Sequence, residues 1–410
     1  MKVLYVVGAC LTKNTSANMS HNGYVQGLLE NGCDVDILMA KDSWGMDDKG
    51  LPVWEKAHYF PYASDSLPDK IRKKMRGTAA PVQITVDNGG LKENKNRYSG
   101  WKAEVRALAK NIFYCLFPSD PVYPLEHTWL KKASHFRSNS IYDLVISNSS
   151  PAAGHKIVKV LLDNNHIRCI RWVQIWEDPW YADLYGGYNE RIQKEEHSLL
   201  RSANEIYYVS PLTLKYQQQL YSDCADKMRH IPLPYLAFGS ETQCAHCVPN
   251  SFGYFGDYYS HTRNLKPFYY ALLRSGMVGY IYGDSDLALK ATPEIEVSGR
   301  VTLDKLDEVQ KRTSVLVHLC NLRGGQIPGK IYHYSATCKP ILFILDGTEE
   351  EQRRIESYFS QFKRYYFCKN TTDDILRAME RICADVSKLT EYAPVEAFSP
   401  KTIVEQLLYK

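Results

Sequence analysis

The chain has 410 residues, of which 44% are hydrophobic and 23% are charged, and its formal net charge is +4. This composition is that of an ordinary soluble globular protein, and the length excludes one small core and predicts two domains of roughly 200 residues each. No run approaches the roughly 18 apolar residues of a membrane-spanning helix, so none is expected.

The eleven cysteines have no secretory signal before them, so we expect reduced thiols in the cytosol. Cys244 and Cys247 form a Cys-x-x-Cys pair. No second pair with metal-ligand spacing accompanies it, and we therefore expect no metal site.

A basic segment runs from Lys49 to Arg137, with 16 Lys or Arg residues against 8 Asp or Glu residues. Such a patch suits an anionic surface, which would be lipid headgroups, a lipid-linked phosphate or nucleic acid. A solvated face without a partner is the alternative.

The first half of the chain alternates between predicted strands and helices. Residues 2–8 form a buried strand by composition, residues 22–30 have helical spacing, and Gly32 ends that helix before a second strand at 35–38. Later strands are predicted at 142–147, 170–175 and 205–209, and later helices at 152–163 and 188–202. This alternation predicts a doubly wound α/β domain with right-handed crossovers.

The stretch from about 50 to 135 does not follow this alternation. It is basic and aromatic, and it contains one predicted helix at 101–117. Insertions of that size in α/β enzymes usually build the substrate cleft, so we predict that role for it.

A second alternation begins after a proline-punctuated segment that runs from about 230 to 250. Its predicted strands are 252–256, 278–282 and 314–319, and its predicted helices are 265–275 and 303–312. Together the two halves predict a tandem of Rossmann-like domains. Neither half has the Gly-x-Gly-x-x-Gly fingerprint, which counts against a nicotinamide or flavin enzyme.

A glycine-rich loop from Gly324 to Gly329 leads into a predicted helix that carries Lys330 and ends before a Lys-Pro pair. Backbone N–H groups at such a helix start, with a lysine in the first turn, predict a site for an anion such as a diphosphate. An ordinary loop-to-helix turn is the alternative.

These features, in this order, resemble a GT-B glycosyltransferase, and in detail the family 4-like retaining group of bacterial surface-polysaccharide type. The stretch from Asn18 to Leu38 resembles the family's first loop, helix and second strand. Tyr142 to Pro151 resembles its Asp-Leu-Ile-Ile-Ser-Ser-x-Pro strand end, and Trp176 to Trp180 resembles its Asp-Pro-Trp corner. Lys330 to Pro340 resembles its Lys-x-x-Glu-Tyr-x-Ala-x-Gly-Lys-Pro block.

The resemblance fails at Gly325, which precedes that last block, and at His333 and Cys338 within it, where Cys338 stands in place of the usual glycine. When the block is aligned on its Lys-Pro end, the family's Glu-x7-Glu pair falls on Gly325 and His333, so neither glutamate is present. In the family the second glutamate is associated with the donor's ribose and the first with its sugar. The identity of the donor therefore stays open, with His333 as a candidate for the ribose and Gln326 or Asn321 for the sugar.

The resemblance implies a metal-independent enzyme in which cations hold the leaving diphosphate. Arg263 and Lys330 take that position, and Lys266 is a weaker third cation. Asp178 would orient the acceptor hydroxyl or take its proton, with an Asx turn before Pro179 as the structural alternative. The other candidates are Asn18, Gly256, Gly283, Arg300, Val301, Gln326, Gly329 and His333 for the donor, and Trp176, Trp180 and His155 for the acceptor.

The predicted fold class is therefore α/β, of the GT-B type, with two Rossmann-like doubly wound domains facing across a cleft. Residues 1–235 would form the acceptor domain, with the basic insertion at 50–135 and a C-terminal helix at 395–410 packing back on it. Residues 236–394 would form the donor domain.

The predicted activity is transfer of a sugar from a nucleotide sugar, with UDP as the expected nucleotide and no other cofactor, to a saccharide or lipid-linked acceptor. We expect retention, since retaining members of the family are thought to let the leaving phosphate take the proton without a protein nucleophile. The expected setting is surface-polysaccharide synthesis in the cytoplasm, with peripheral contact at the anionic inner face of the membrane and no nucleic acid partner. A GT-B sugar epimerase and a non-catalytic nucleotide- or saccharide-binding protein are the alternatives.

Overall fold

The structure is a computed structural model, and it describes residues 1–13, 15–42, 48, 50–65, 120–183, 186, 189–236, 247–323, 325–386 and 392–409. The predicted helix at 101–117, most of the basic segment, Cys244 and Gly324 lie outside these residues. Across the described ranges, no helix combines the length and the apolar character needed to cross a lipid bilayer.

The N-terminal half is built on one parallel sheet. Its strands are β1 Lys2–Val7, β2 Asp34–Lys41, β3 Ala57–Ala63, β4 Ile141–Asn148, β5 Arg168–Trp176, β6 Glu205–Tyr208 and β7 Met228–His230. Its helices are α1 Ser16–Glu30, α2 His127–Ala133, α3 Ala153–Asp163, α4 Glu190–Ser202 and α5 Pro211–Leu220, followed by a 3-10 helix at Ser222–Lys227. The strand order is β3-β2-β1-β4-β5-β6-β7. The central strands are apolar on both faces because helices cover the two sides of the sheet.

The C-terminal half repeats this plan with six parallel strands. They are β8 Val248–Phe255, β9 Val278–Tyr282, β10 Ile295–Ser298, β11 Thr313–Leu319, β12 Ile341–Leu345 and β13 Tyr365–Lys369, in the order β10-β9-β8-β11-β12-β13. Its helices are α6 Lys266–Ser275, α7 Leu303–Arg312, α8 Lys330–Tyr334, α9 Glu349–Ser360 and α10 Thr372–Val386. A 3-10 turn at Glu396–Phe398 and α11 Pro400–Leu408 end the chain. The predicted class, α/β with two Rossmann-like domains, is confirmed.

The stretch predicted as an insertion begins with an edge strand of the first sheet, which corrects that prediction. β3 pairs in parallel with β2 from Ala57 to Ala63. The strand is only partly buried and contains Pro61, which an edge strand tolerates because one side of its backbone has no ladder partner. Helix α2 lies at the other end of the same stretch.

Helix α1 begins at Ser16 rather than at residue 22. Its N-cap is Thr15, whose hydroxyl accepts a hydrogen bond from the Asn18 N–H at 3.1 Å. The first turns carry Asn18, Ser20 and His21, which are buried although they are polar. These positions therefore lack the amphipathic pattern from which a helix is predicted.

The last helix, α11, packs against α1 of the first domain. The approach is closest at Gly27, where an added Cβ would overlap the Pro400 carbonyl. The chain leading to α11 is bonded to both domains, because the Val395 N–H donates to the Ser335 carbonyl at 2.9 Å and the Tyr235 N–H donates to the Phe398 carbonyl at 3.1 Å. The C-terminus thus fixes the helix whose first turns enter the cleft described below.

Gly27→Ala is expected to destabilise the protein by about 1–3 kcal/mol, the usual cost of overpacking, although alanine favours a helix over glycine by about 1 kcal/mol. Thermal unfolding followed by circular dichroism measures the effect. Glu30→Ala changes an exposed residue of the same helix and should stay within about 0.5 kcal/mol of wild type. A Gly27→Ala protein that unfolds at or above the wild-type temperature would contradict the close packing of α1 on α11.

Candidate active site

The carboxyl ends of the two sheets face each other across a cleft, which is where open parallel sheets bind ligands. An added Cβ on Gly329 would lie 3.4 Å from Ser16 Oγ and 3.2 Å from Leu233 Cδ1, so the start of α8 lies against the start of α1. The Ser210 hydroxyl donates to the Gly325 carbonyl at 2.6 Å. The glycine loop therefore forms part of the contact between the domains.

Lys330 is the first residue of α8, and its stem lies beside the end of β8. Its Cε would be 3.6 Å from a Cβ on Gly256, an ordinary contact distance, so the lysine stem packs directly along the end of this strand. Burial lowers the pKa of Lys330 to about 8; Asp257 opposes this shift, and Arg300 and Arg263 add to it. A bound anion would reverse the shift and restore the full charge.

Arg263 follows the end of β8 and is held by two acceptors. Its Nε donates to Asn321 Oδ1 at 2.8 Å, and its Nη1 donates to the Asp257 carbonyl at 3.0 Å. Asn321 in turn donates to the Gln326 carbonyl at 3.1 Å. The guanidinium is therefore oriented by neutral groups. They do not neutralise its positive charge, which can act on a ligand.

Arg300 differs from these two cations because it is already paired. Its Nε donates to Asp257 at 3.0 Å, its Nη2 contacts the second oxygen of the same carboxylate, and Asp284 lies 3.7 Å away. In the described part of the chain no carboxylate forms an ion pair with Arg263 or Lys330. Of the three cations, Arg263 and Lys330 are therefore the two that can bind an anion, and Arg300 holds the carboxylate of Asp257 in place.

Close backbone approach explains the glycine at the end of β9. Gly283 has φ +152, and an added Cβ would overlap the Gly256 carbonyl, so only glycine fits there without strain. The Gly256 N–H donates to the Tyr282 carbonyl at 2.8 Å. The two strand ends thus form one surface beside Lys330.

Asp178 lies directly after β5 on the opposite side of the cleft. The side chain is open to solvent, and no described residue forms a hydrogen bond with its carboxylate. Although the residue is exposed at the wall of the cleft, desolvation of its carboxylate by the surrounding protein raises the pKa of Asp178 to about 7; the charges of Glu177 and Asp183 add to this shift, and Arg263 opposes it from across the cleft. A carboxyl group in this state can exchange a proton near neutral pH.

A buried pair next to Asp178 was not predicted from the sequence. His21 Nε2 lies 3.0 Å from Glu177 Oε1, and the histidine side chain is fully buried. The Glu177 N–H donates to the Ser149 hydroxyl at 3.2 Å. Because Glu177 directly precedes Asp178, the pair fixes the backbone at Asp178, and we assign the pair a positioning role. The sequence could have pointed to His21 only if α1 had been predicted to begin at Ser16.

Asn18 and Gln326 hold loops of the cleft. The Asn18 amide donates to the carbonyls of Cys10 and Lys13 at 2.8 Å each, so it shapes the loop after β1 instead of offering this amide to a donor. The Gln326 amide lies 3.4 Å from Asp183 Oδ1 and joins the two domains. Direct contact of either residue with a donor stays a prediction.

The other predicted donor residues are His333, which lies one turn after Lys330 on α8, Lys266 and Val301. His333 Nδ1 accepts a hydrogen bond from the Leu236 N–H at 3.3 Å, and burial lowers its pKa to about 3, so the ring is neutral and held by the linker. Lys266 is exposed at the start of α6. Val301 packs at the edge of the core. Their roles stay predictions.

Two of the three predicted acceptor residues lie inside the first domain, which corrects that prediction. Trp176 is fully buried and donates its indole N–H to Gln174 at 3.0 Å. His155 is fully buried beside it, with Nδ1 2.7 Å from the Ser147 hydroxyl. Burial lowers the pKa of His155 to about 3. Neither side chain can reach an acceptor from the helix-covered face of the sheet, whereas Trp180 is partly exposed.

Among the residues that the structure describes, two trios of side chains could hold a metal ion, and both lie away from the cleft. They are Asp34, Asp36 and His58, and His197, Asp223 and Cys224. In the first trio Lys2 already lies 3.0 Å from Asp34. In the second, burial raises the pKa of the Cys224 thiol, which disfavours the thiolate that a metal needs. The expectation of a metal-independent cleft stays a prediction.

The fold is that of the GT-B glycosyltransferases. No protein-family model and no curated protein matches the chain. Among solved structures, a glycosyltransferase from Rickettsia africae ESF-5 is 10% identical with a TM-score of 0.51, covering 98% of this chain and 93% of that one. An alpha-glucosyltransferase in complex with UDP and a 13-mer DNA is 12% identical with a TM-score of 0.51, covering 99% and 95%. A trehalose-6-phosphate structure from E. coli bound with UDP-2-fluoro glucose is 9% identical with a TM-score of 0.50, covering 99% and 96%.

Proposed function

We propose that the protein is a glycosyltransferase that moves a sugar from a nucleotide sugar, with UDP as the expected nucleotide, to a saccharide or lipid-linked acceptor. One observation carries the proposal. Arg263 and Lys330, cations without a carboxylate partner among the described residues, lie across the cleft from the open carboxylate of Asp178. That arrangement suits a diphosphate on one side and an acceptor hydroxyl on the other.

The two sides would contribute to different parts of the transfer. As the bond between the sugar carbon and the phosphate oxygen breaks, negative charge grows on the diphosphate, and fixed cations stabilise it. The Arg263 guanidinium can bind two phosphate oxygens at once, whereas Lys330 acts as a point charge. Asp178 would orient the acceptor hydroxyl at the opposite wall.

The route of the acceptor's proton decides the stereochemical course. The resemblance implies retention, in which the leaving phosphate takes the proton. Asp178 favours a second course, inversion, because a carboxylate with a pKa of about 7 can take the proton itself.

We propose further that the reaction belongs to surface-polysaccharide synthesis in the cytoplasm and that the protein makes peripheral contact with an anionic membrane face. The surplus of basic residues between Lys49 and Arg137 supports that contact. No nucleic acid partner is proposed.

Calorimetric titration with UDP and GDP tests the donor site, and incubation with UDP-sugars followed by proton NMR tests the reaction. We expect UDP to bind and a UDP-sugar to be cleaved, with the anomer of the first product reporting retention or inversion. If neither UDP nor GDP binds the wild-type protein, the donor site is refuted. Binding without cleavage or transfer would favour a non-catalytic protein, and conversion into a different sugar nucleotide would favour an epimerase.

A further inference from the structure

A groove of about 270 Å³ opens on the first domain beside the candidate active site. Its lining includes Tyr123, Glu126, Pro151 and Trp180. Trp180 follows Asp178 by two residues, and Pro151 follows the end of the neighbouring strand β4. The groove therefore starts close to the carboxylate that would face the acceptor.

The groove is lined by flat apolar surfaces. The Trp180 ring packs against Tyr123 with ring centres 5.2 Å apart, and proline rings from both sides of the groove continue this surface. Aromatic and proline faces match the C–H faces of a sugar ring, which are apolar while its edges carry hydroxyl groups. A volume equal to that of about nine liquid waters holds one such ring.

Two polar groups in the groove have hydrogen-bonding capacity to spare. No described residue accepts a hydrogen bond from the Trp180 indole N–H, and Glu126 forms no ion pair with any described cation. Burial raises the pKa of Glu126, and hydrogen bonds from the Glu126 and Leu125 N–H groups oppose that shift, so part of the accepting capacity of this carboxylate is already used. The Tyr123 hydroxyl is already used, because it donates to Glu195 at 3.1 Å. A hydroxyl-bearing ligand could accept from the indole and donate to the carboxylate.

The charges around the groove limit the ligand further. Besides Glu126 they include Asp120 and Glu195, and Lys156 is paired with Glu195 at 2.7 Å. His127 Nδ1 lies 3.7 Å from Asp120. Of the described residues that line the groove, none is a lysine or an arginine, and Glu126 is the one acid. A uronic acid or a phosphate would be repelled there.

We propose that this groove binds a neutral sugar ring of the acceptor, next to the sugar whose hydroxyl reacts. The inference rests on the proposed function and narrows it, since the acceptor is then an uncharged saccharide of at least two residues. Trp180 stacks on the ring and donates to one hydroxyl, and Glu126 accepts from another.

Saturation-transfer NMR on the full-length protein, in the presence of UDP, tests this with maltotriose, chitotriose and a hyaluronan tetrasaccharide as probes. We expect signal for at least one neutral trisaccharide and none for hyaluronan, which carries uronic acids.

Trp180→Ala and Glu126→Gln should each weaken binding of that trisaccharide at least about tenfold while UDP affinity, measured by calorimetry, is unchanged. Tyr270→Ala, which removes an exposed aromatic ring of the other domain, should change neither.

Trp180→Phe separates binding from folding, because it keeps an aromatic ring against Tyr123 while it removes the indole N–H and narrows the stacking face, so it should weaken saccharide binding and leave thermal unfolding near the wild-type temperature. Retained wild-type saccharide binding in Trp180→Ala, equal binding of hyaluronan, or no binding of either neutral trisaccharide would overturn the inference. If UDP still binds and UDP-sugars are still cleaved in that case, the proposed function stands and only the acceptor groove is refuted. Failure of UDP binding itself would refute the proposed function instead.

Discussion

Lys330→Ala is expected to lower kcat/KM for a nucleotide-sugar donor about 100- to 1,000-fold, the usual effect of removing one group that stabilises charge in a transition state. Arg263→Ala should fall in the same range. Because both side chains would act on one diphosphate, their effects should not simply multiply in the double variant. Steady-state rates at saturating acceptor and UDP affinity by calorimetry measure the two parts of the loss.

Lys305→Ala is the matched control for the two cation variants. It removes an exposed lysine of the same domain that already pairs with Glu308 at 2.9 Å, so both rate and UDP affinity should remain at the wild-type values. A Lys330→Ala enzyme with wild-type kcat/KM would show that the diphosphate is not bound at the start of α8. Unchanged thermal unfolding in all three variants would confirm that the comparison is between folded proteins.

Asp178→Asn is expected to reduce kcat about 100- to 10,000-fold if this carboxylate takes the acceptor's proton. The wild-type kcat/KM should then rise with pH through about 7, because Asp178 is protonated below that value and ionised above it. It should fall again through about 8, where Lys330 loses its charge. Lys330→Arg should remove this second limb, since arginine stays protonated.

Asp183→Asn tests the cause of the first limb. Asp183 is one of the acids that raise the pKa of Asp178, so its neutral replacement should move that limb to lower pH without abolishing activity. A flat profile between pH 6 and 8, which brackets the pKa of about 7, would argue against Asp178 as the base and for proton transfer to the leaving phosphate.

Loss of folding would not account for an inactive Asp178→Asn protein. The pKa of Asp178 is raised from 3.8 to about 7 in the folded chain. A carboxyl group whose pKa is raised on folding lowers stability progressively as the pH rises from the unfolded value to the folded value, and the full cost remains above about 7. At pH 8 the asparagine variant should therefore unfold at the wild-type temperature or above it.

The sequence was sufficient for the positions of most strands, and the roles of the two cations stay predictions. Buried parallel strands are apolar runs bounded by glycine, and that pattern locates the ends of β8 and β9, next to which Arg263 and Lys330 lie. The capping box of α9, in which Thr348 and Glu351 bond each other's backbone, marks a helix start that we did not predict although the signal is local.

The acceptor side was less predictable because both faces of β5 are buried. Trp172 and Trp176 lie on the face that packs with α3 and α4, and Val173 and Ile175 lie on the face that packs with α1 and α11. Because no alternation of polar and apolar residues distinguishes the two faces, the sequence could not show whether Trp176 lies in the core or in the cleft. The contact of Gln326 with Asp183 depends on how two distant segments meet, which no local pattern encodes.

The packing of α11 on α1 also bears on how the protein is made. Among the described residues, the face of α1 that carries Gly27 packs against α11, which follows the second domain in the chain. Domains generally fold as units while the chain leaves the ribosome, but α11 is made only after the second domain. The surface of α1 around Val25 and Leu28, both in the same core cluster as Ile403 and Val404, therefore stays uncovered by α11 until the second domain has been synthesised.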